Sequence, residues 1–270
     1  MNKDGGCAVT KRLIAALEGG GFSYILHEAA AAALKQPGQP VDGLIEGSDT
    51  IVTIGGDGTI LSVAARAARA GRKLLGVNLG RCGFLAETAP DEIEAAIEKL
   101  AARQFAIEER SVLKVDYCGL TGYALNEMAV HRKPGGRLVD VRAYSDGSFV
   151  DRYYADGFIV ATPTGSTAYA LSAGGPILSP GVKAFLLLPI CSHALHNKPI
   201  AVPDGEKIAI APASDDFECC LALDGIPFSA GKMSDIRIEK ADFNALFIRF
   251  SKHDFYERLF GKLNDWSQGK

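Results

Sequence analysis

Apolar positions follow two different periods along this chain, and the change falls near residue 105. In the first part they recur at helical spacing or gather in short β-branched runs that glycines end. Such runs are typical of buried parallel strands, and the helical spacing predicts amphipathic helices. We predict helices over 9–17, 29–34, 60–70 and 90–102, and strands over 22–26, 50–54 and 73–78. Their alternation predicts an α/β domain with a Rossmann-like parallel sheet.

The second part has the two-residue alternation of antiparallel strands. Its short stretches are separated by glycine-containing turns, among which Asp146-Gly147 is a good hairpin turn. We therefore predict a β-rich, β-sandwich-like domain over 106–245. An apolar stripe at near-helical spacing follows, formed by Phe255, Leu259, Leu263 and Trp266. It predicts a C-terminal helix that must bury one face. We expect this segment, 246–270, to pack back on the α/β domain of 1–105.

Composition narrows the class of partner. The chain has 270 residues, 47% of them hydrophobic, and a net charge of -3. It therefore has no general basic field to attract nucleic acid or an anionic membrane. The longest apolar run, 184–190, is far short of the roughly 20 residues that span a bilayer. The start lacks the apolar stretch of a secretory signal, and the six cysteines include no C-x-x-C pair. We expect a cytoplasmic protein without nucleic-acid or membrane partners.

The first candidate site follows the predicted strand 50–54. The chain reads Gly55-Gly56-Asp57-Gly58-Thr59, and a predicted helix comes next. Glycines allow the backbone to approach closely, so several N–H groups and the start of a helix can face one anion. A carboxylate there would repel a phosphate unless Asp57 holds Mg²⁺ or accepts a proton from an attacking hydroxyl. The loop lacks the G-K-[ST] ending of a Walker A motif and the spacing of a G-x-G-x-x-G motif. A tight structural turn is the alternative interpretation.

Two further groups suit a sugar and a base. Four hydroxyls crowd into the Thr162–Thr167 loop, and Tyr169 behind them can stack on a base. The irregular backbone continues past Ser172, which favours a binding loop. Asn126-Glu127 can accept hydrogen bonds from a ribose diol, although such a pair is more often a surface turn. Asp156, just before the strand that leads to this loop, is either a turn residue or a substrate acceptor.

Together these motifs resemble the NAD kinase family, from about residue 40 to the tail. Besides the GGDGT loop, the similar segments are 78–85 (the family's N-x-G-x-x-G-F-L), 126–127, 162–169, 172–176, 189–191 and 255–259. GGDGT alone is shared with lipid kinases and phosphofructokinases. The T-P-T-G-S-T-A-Y loop joined with Asn-Glu is far more specific.

The resemblance implies an active site between an α/β and a β-rich domain, in a homo-oligomer whose neighbouring subunit helps to complete the NAD pocket. It implies that Asp57 accepts the proton of the adenosine-ribose 2′-hydroxyl of NAD, giving NADP. Gly55, Gly56, Gly58 and Thr59 would form the phosphate-donor loop, with Gly58 also touching substrate. The implied dinucleotide contacts are Asn126, Glu127, Arg137, Asp156, Thr164, Thr167, Ala168, Tyr169 and Ser172.

The phosphoryl donor would be ATP or polyphosphate. Since the sequence offers no P-loop lysine, Mg²⁺ held by the donor phosphates would neutralise much of the charge. No protein metal ligand is assigned, and the choice between NAD and NADH stays open.

Two departures and three rivals accompany the resemblance. Family members usually open with a strand before the first helix, whereas this sequence starts at the loop that follows it, so either the start is truncated or misassigned or one edge strand is missing. Ile226 stands where many relatives have glutamine. A diacylglycerol-type lipid kinase would need a membrane-binding face, and no basic amphipathic helix supplies one. A non-catalytic NAD-binding sensor would share the pocket, although Asp57 argues for catalysis. An NAD-dependent oxidoreductase is disfavoured by the missing G-x-G-x-x-G.

Overall fold

The chain forms two compact units. The computed structural model describes residues 4, 7–80, 83–86, 88–194, 196–214, 217–250, 255–256 and 259–261. The first unit comprises Met1–Glu109 together with Ala245–Lys270, and the second comprises Arg110–Asn244. Two strands run from one unit into the other, β3 (Ala106–Tyr117) and β13 (Ile236–Arg249). The first unit is therefore built from two separate stretches of the chain.

The first unit is an α/β structure around parallel strands. Its elements are α1 (Ala8–Gly19), α2 (Glu28–Leu34), α3 (Val41–Gly47), β1 (Thr50–Gly55), α4 (Asp57–Arg69), β2 (Lys73–Asn78), a 3₁₀ turn (Pro90–Glu92) and α5 (Ile93–Ala101). Strands β1 and β2 pair in parallel, and the end of β13 pairs in parallel with β2 through Leu246 and Phe247. Leu13, Val77 and Ile97 pack into a core between helices and strands.

The sequence pattern predicted most of these elements; two predictions are corrected, and one helix was missed. No strand forms over 22–26, where the chain makes only a single bridge, between His27 and Gln39. Phe22 packs instead on the α1–α5 core, and the other side chains of this stretch are too exposed to need a neighbouring strand. The sequence pattern missed α3, which carries two glycines. Helix α4 begins at Asp57 rather than at residue 60, so the last three residues of the GGDGT loop already belong to the helix.

The second unit consists mainly of antiparallel strands. They are β4 (Leu120–Ala124), β5 (Glu127–Arg132), β6 (Val139–Ser145), β7 (Ser148–Ala161), β8 (Ala184–Ser192), β9 (Ile200–Pro203), β10 (Ile208–Pro212), β11 (Glu218–Leu223) and β12 (Ile226–Lys232). The pairing order is β10-β6-β7-β5-β11-β12, and β8 adds to β7. A 3₁₀ turn (Gly165–Thr167) and the four-residue α6 (Tyr169–Ser172) interrupt the strands.

The predicted fold class is confirmed: an α/β unit and a β-rich unit. Asp146-Gly147 forms the predicted two-residue hairpin turn, with φ of 44° and 79°. In the tail, residues 255–256 and 259–261 are helical. Leu259 is buried, and the ring of Phe255 lies 6.4 Å from that of Phe84 in the same unit. Leu263 and Trp266 of the predicted stripe lie outside the described residues. In the part of the chain described, no helix is long and apolar enough to cross a membrane.

Candidate functional site

The GGDGT loop makes a sharp turn from β1 into α4. Gly55 ends the strand, Gly56 caps the helix, and Asp57 is its first residue. A side chain at residue 55 could not fit, because a Cβ there would lie 2.2 Å from the Oγ1 atom of Thr59. A Cβ at Gly56 or Gly58 would meet nothing within 4 Å. Residues 56 and 58 thus add no side chain at the start of this 13-residue helix, where backbone N–H groups can face an anion.

The carboxylate of Asp57 is held by the backbone of residues 84–86. Its oxygens accept hydrogen bonds from the N–H groups of Phe84 at 2.8 Å, Leu85 at 3.1 Å and Ala86 at 3.2 Å. A carboxylate has about four lone-pair sites, so these bonds do not by themselves exhaust it. They fix the orientation of a side chain that the sequence singled out for proton transfer.

Gly83 leaves room for this arrangement. A Cβ at residue 83 would lie 1.9 Å from Oδ1 of Asp57, so any side chain there would displace the carboxylate. Nearby, the Asn78 side chain donates to the carbonyl of Gly80 at 2.9 Å. The N-x-G-x-x-G-F-L segment, which the sequence marked only by resemblance, therefore supports Asp57. Its residues Arg81 and Cys82 lie outside the described part.

In the second unit, Asp224 organises the backbone of the Asn126-Glu127 pair. Its carboxylate accepts from the N–H groups of Leu125 at 2.8 Å, Asn126 at 2.7 Å and Glu127 at 3.1 Å. Asp224 and Gly225 form the two-residue turn between β11 and β12, with φ of 50° and 74°. Sequence reasoning missed this role, although an Asp-Gly pair between two apolar stretches is a recognisable hairpin signal.

Glu127 is a buried carboxyl group with incomplete hydrogen bonding. The residue is 6% exposed, and its Oε2 atom has no hydrogen-bond partner in the described structure. Burial, followed by repulsion from Asp224, raises the pKa of Glu127 to about 7, and a backbone hydrogen bond from Tyr169 partly opposes this rise. Burial also raises the pKa of Asp224, and the backbone bonds that its carboxylate accepts oppose that change. The orphaned oxygen is a ready acceptor for a hydroxyl donor.

The hydroxyl loop is tied to Asn126. Thr162 donates its N–H to the carbonyl of Asn126 at 2.9 Å and its hydroxyl to that of Leu125 at 2.6 Å. A Cβ at Gly165 would lie 2.1 Å from the carbonyl oxygen of Asn126, so only glycine fits. The loop and the Asn-Glu pair therefore form one local structure.

The hydroxyls of this loop form hydrogen bonds with other groups of the protein. Ser166 donates to the carbonyl of Pro163 at 2.6 Å, and Thr167 donates to that of Thr164 at 3.1 Å. The hydroxyl of Thr164 accepts from the guanidinium of Arg110 at 3.3 Å. The row of hydroxyls thus shapes the loop, which is the more frequent use of a Ser/Thr-rich turn and the alternative to a binding role.

Tyr169 stacks on a neighbouring ring. Its ring and that of His131 are 5.6 Å apart and nearly parallel. Burial lowers the pKa of His131 and raises that of Tyr169, which favours neutral rings on both sides of the stack. On the same strand as His131, Arg132 pairs with Asp156 at 2.5 Å. His131 and Arg132 were not singled out in the sequence.

The remaining predicted contacts lie nearer the surface. Ser172 and Arg137 are exposed and Ala168 is half-buried. The structure brings Asn126, Glu127 and Tyr169 together with the hydroxyl loop, but it shows no bond between Arg137 and any of them. Within the described ranges, no group of three or more His, Cys, Asp or Glu side chains could hold a metal ion.

An α/β unit with a glycine loop at the start of a helix, together with a β-rich unit that carries a hydroxyl-rich loop, is the arrangement expected of a nucleotide-dependent kinase. The family described as ATP-NAD kinase matches through its N-terminal domain at residues 39–105 and its C-terminal domain at 125–250. The NAD kinase of Caldanaerobacter subterraneus is 36% identical, with 98% of this chain and 96% of that protein covered. The NAD kinase of Acidithiobacillus ferrooxidans is 38% identical, with 90% and 85% covered.

Solved structures agree with these relatives. An NAD kinase from Archaeoglobus fulgidus, in complex with ATP, is 32% identical with a TM-score of 0.79, and 95% of each chain is covered. The yeast NADH kinase complexed with NADH is 26% identical with a TM-score of 0.87, covering 96% of this chain and 84% of that one. The chain belongs to the NAD kinase family.

Proposed function

We propose that this enzyme transfers the terminal phosphoryl group of ATP to the 2′-hydroxyl of the adenosine ribose of NAD, giving NADP. The observation that carries the proposal is the Asp57 carboxylate at the start of α4, oriented by the backbone N–H groups of residues 84–86. Phosphoryl transfer needs mainly positioning and charge neutralisation, and a fixed carboxylate can accept the proton that the attacking hydroxyl loses.

Donor phosphates would bind at the glycine loop. Gly55, Gly56, Gly58 and Thr59 leave the first turn of α4 open, and its N–H groups attract anions. Mg²⁺, held by these phosphates, would supply charge neutralisation. The Archaeoglobus relative was solved with ATP, which supports ATP as donor. Polyphosphate is the alternative donor that the assay below also tests.

The dinucleotide would bind through the second unit. The orphaned Oε2 of Glu127 and the amide of Asn126 would accept ribose hydroxyls, while Tyr169 would stack on a base. Asp156 would contact the dinucleotide with its charge already balanced by Arg132. Further contacts would come from Gly58, Arg137, Thr164, Thr167, Ala168 and Ser172. The yeast relative was solved with NADH, so both redox forms are candidate acceptors.

We propose a cytoplasmic homo-oligomer, a dimer or a tetramer. Cys118, Cys191, Cys219 and Cys220 are free thiols, as a reducing compartment requires. Phe149 and Tyr154 on β7 are 58% and 47% exposed, and exposed aromatic side chains are common in subunit interfaces.

The test is an end-point assay of the purified protein with NAD, ATP and Mg²⁺, in which an NADP-specific dehydrogenase reads the product. We expect NADP to form, and EDTA to abolish its formation. Asp57→Asn should lower kcat by at least about 10²-fold. The matched control is Asp42→Asn, because Asp42 is an exposed aspartate of the same unit that pairs with Arg66.

Three outcomes would count against parts of the proposal. Unchanged kcat in a folded Asp57→Asn protein would remove Asp57 from proton transfer. NADP formed from polyphosphate but not from ATP would change the donor. Saturable NAD binding without NADP from either donor would indicate a non-catalytic sensor.

A further inference from the structure

We propose that Arg249, held by Glu108, is a positioning residue for Asp57. It acts through Leu85, whose carbonyl it binds and whose N–H binds the Asp57 carboxylate. The inference rests on the proposed role of Asp57 in proton transfer. All four residues belong to the first unit.

The contacts form a continuous chain. The Nε atom of Arg249 lies 2.6 Å from a carboxylate oxygen of Glu108, and its Nη1 atom donates to the carbonyl of Leu85 at 2.9 Å. The N–H of Leu85 donates in turn to Oδ1 of Asp57 at 3.1 Å. Leu85 thus accepts a hydrogen bond from the guanidinium at its carbonyl oxygen and donates one from its N–H to the Asp57 carboxylate.

Burial makes this link stiff. The Arg249 side chain is 7% exposed and that of Glu108 is 30% exposed. The guanidinium carbon lies 5.1 Å from the centre of the Phe247 ring, so its plane is fixed by an aromatic face as well as by hydrogen bonds. A partly buried, charge-assisted pair tolerates less movement than a surface pair, which contributes little.

The position of Asp57 depends on the backbone that Arg249 holds. The carboxylate oxygens accept from Phe84, Leu85 and Ala86, which lie in a segment without helix or strand structure. Such a segment needs tertiary contacts to keep its N–H groups aligned. If the Leu85 carbonyl is released, the amides turn and the carboxylate follows. A displacement of about 1 Å can cost on the order of 10²-fold in rate.

The experiment measures kcat and KM for Arg249→Met, Arg249→Lys and Glu108→Gln, below their unfolding temperatures. We expect Arg249→Met to lower kcat by about 10- to 100-fold with the KM for NAD within about threefold, because it removes both anchoring bonds. Arg249→Lys should recover part of kcat, since an ammonium can reach one partner but not form the fork. Glu108→Gln should give a smaller loss of kcat, and this variant still tests the proposal if Arg249→Met does not fold.

A double-mutant cycle separates positioning from general damage. In the Asp57→Asn background, Arg249→Met should change kcat by less than about threefold, because the group it positions is already lost. The control is Arg12→Met, which removes another ion pair of the first unit, that of Arg12 with Glu94. It should leave kcat unchanged in both backgrounds.

The two proposals fail differently. If Asp57→Asn alone retains full kcat, the proposed proton transfer by Asp57 is wrong. If Asp57→Asn lowers kcat but the folded Arg249 and Glu108 variants do not, only the positioning role is overturned. Equal losses from Arg249→Met in both backgrounds would also overturn it, since they would show an effect independent of Asp57.

Discussion

Asp57 of the first unit and Glu127 of the second are both carboxyl groups with a proposed role, and the hydrogen bonding around them differs. Asp57 accepts hydrogen bonds from the backbone of residues 84–86. Glu127 is buried beside Asp224 with Oε2 lacking a partner, and its pKa is raised to about 7. Different environments commonly assign different tasks to two carboxyl groups of one active site. Here the backbone bonds fix the orientation of Asp57, as its proposed role of proton acceptor requires, whereas the raised pKa of Glu127 predicts that this group exchanges a proton with solvent near neutral pH.

The raised pKa of Glu127 predicts a pH-dependent stability. Between its ordinary value of 4.5 and about 7, the folded protein keeps a proton on Glu127 that the unfolded chain has released. The free energy of unfolding should therefore fall as pH rises through this window, by on the order of 2–3 kcal/mol, since one pKa unit is worth about 1.4 kcal/mol. Urea unfolding at about pH 5 and about pH 7.5 covers most of this window and measures the change.

Glu127→Gln should lose less stability over this interval than the original protein, because glutamine does not titrate. Glu98→Gln, a substitution of an exposed glutamate on α5, is the control and should keep the original dependence. If Glu127→Gln and the original protein show the same dependence, Glu127 does not exchange a proton in this range.

A single methyl group at residue 83 should also disturb the site. The added Cβ of Gly83→Ala would meet Oδ1 of Asp57 at 1.9 Å, and the flexible carboxylate would move more readily than the backbone. We expect kcat to fall by about 10-fold or more, with a small change in unfolding temperature. Gly19→Ala, whose Cβ meets nothing within 4 Å, is the control. Equal kcat in both variants would show that Asp57 tolerates displacement.

At the scale of elements, the sequence correctly predicted the strands whose local apolar pattern is enough to identify them. Strands 50–54 and 73–78 were recognisable because short apolar runs that end at glycine or asparagine are typical of buried parallel strands, and these two pair with each other. The stretch 22–26 has a similar composition but no neighbouring strand, so it stays irregular. A strand needs a partner, and the partner is chosen by tertiary structure.

In the candidate site, too, the sequence predicted the contiguous motifs but not the distant residues that support them. The GGDGT loop, Asn126-Glu127 and the hydroxyl loop are contiguous motifs, so the sequence displayed them. Their supports are distant in the chain: Asp224 binds amides 97 to 99 residues earlier, and Arg249 binds a carbonyl 164 residues earlier. No spacing rule connects such positions, because the contact arises only once the strands have paired.

The turn between β11 and β12 should matter for binding more than its position at a hairpin end suggests. Asp224→Asn keeps the shape of the side chain but leaves one oxygen to accept from three N–H groups and turns an NH₂ towards them. We expect a loss of about 1–3 kcal/mol in unfolding free energy. The KM for NAD should rise more than kcat falls, because the Asn126-Glu127 backbone loosens.

Asp146→Asn is the matched control for this prediction. Asp146 also opens a two-residue Asp-Gly turn with positive φ and accepts one backbone bond, from Lys207, but it is exposed. Its substitution should change unfolding free energy by less than about 0.5 kcal/mol, as surface substitutions usually do. Equal effects of the two substitutions on KM would mean that Asp224 acts only as a turn residue.

At the scale of the whole molecule, the first unit depends on a returning segment. Met1–Glu109 supplies its helices and two parallel strands, and Ala245–Lys270 supplies the strand end that pairs with β2. Phe247 is fully buried there, and Arg249 pairs with Glu108. Folding of the unit should therefore require both stretches, although the GGDGT loop lies wholly in the first.

Fragments test this dependence. Residues 1–109 alone should show no cooperative unfolding by circular dichroism, because β2 keeps β1 but loses the end of β13, and the surface that covers Phe247 is exposed. Burying one such side chain is worth roughly 1.5–3 kcal/mol, a large share of the roughly 5–15 kcal/mol that stabilises a small domain.

Joining 1–109 to 245–270 through about ten Gly and Ser residues, which span roughly 16–19 Å on average, should restore a cooperative transition. The same fusion carrying Phe247→Ala should unfold at lower urea concentration. If 1–109 alone unfolds at the midpoint of the fusion, the returning segment is dispensable, and the support it gives to Leu85 is not a condition of the fold.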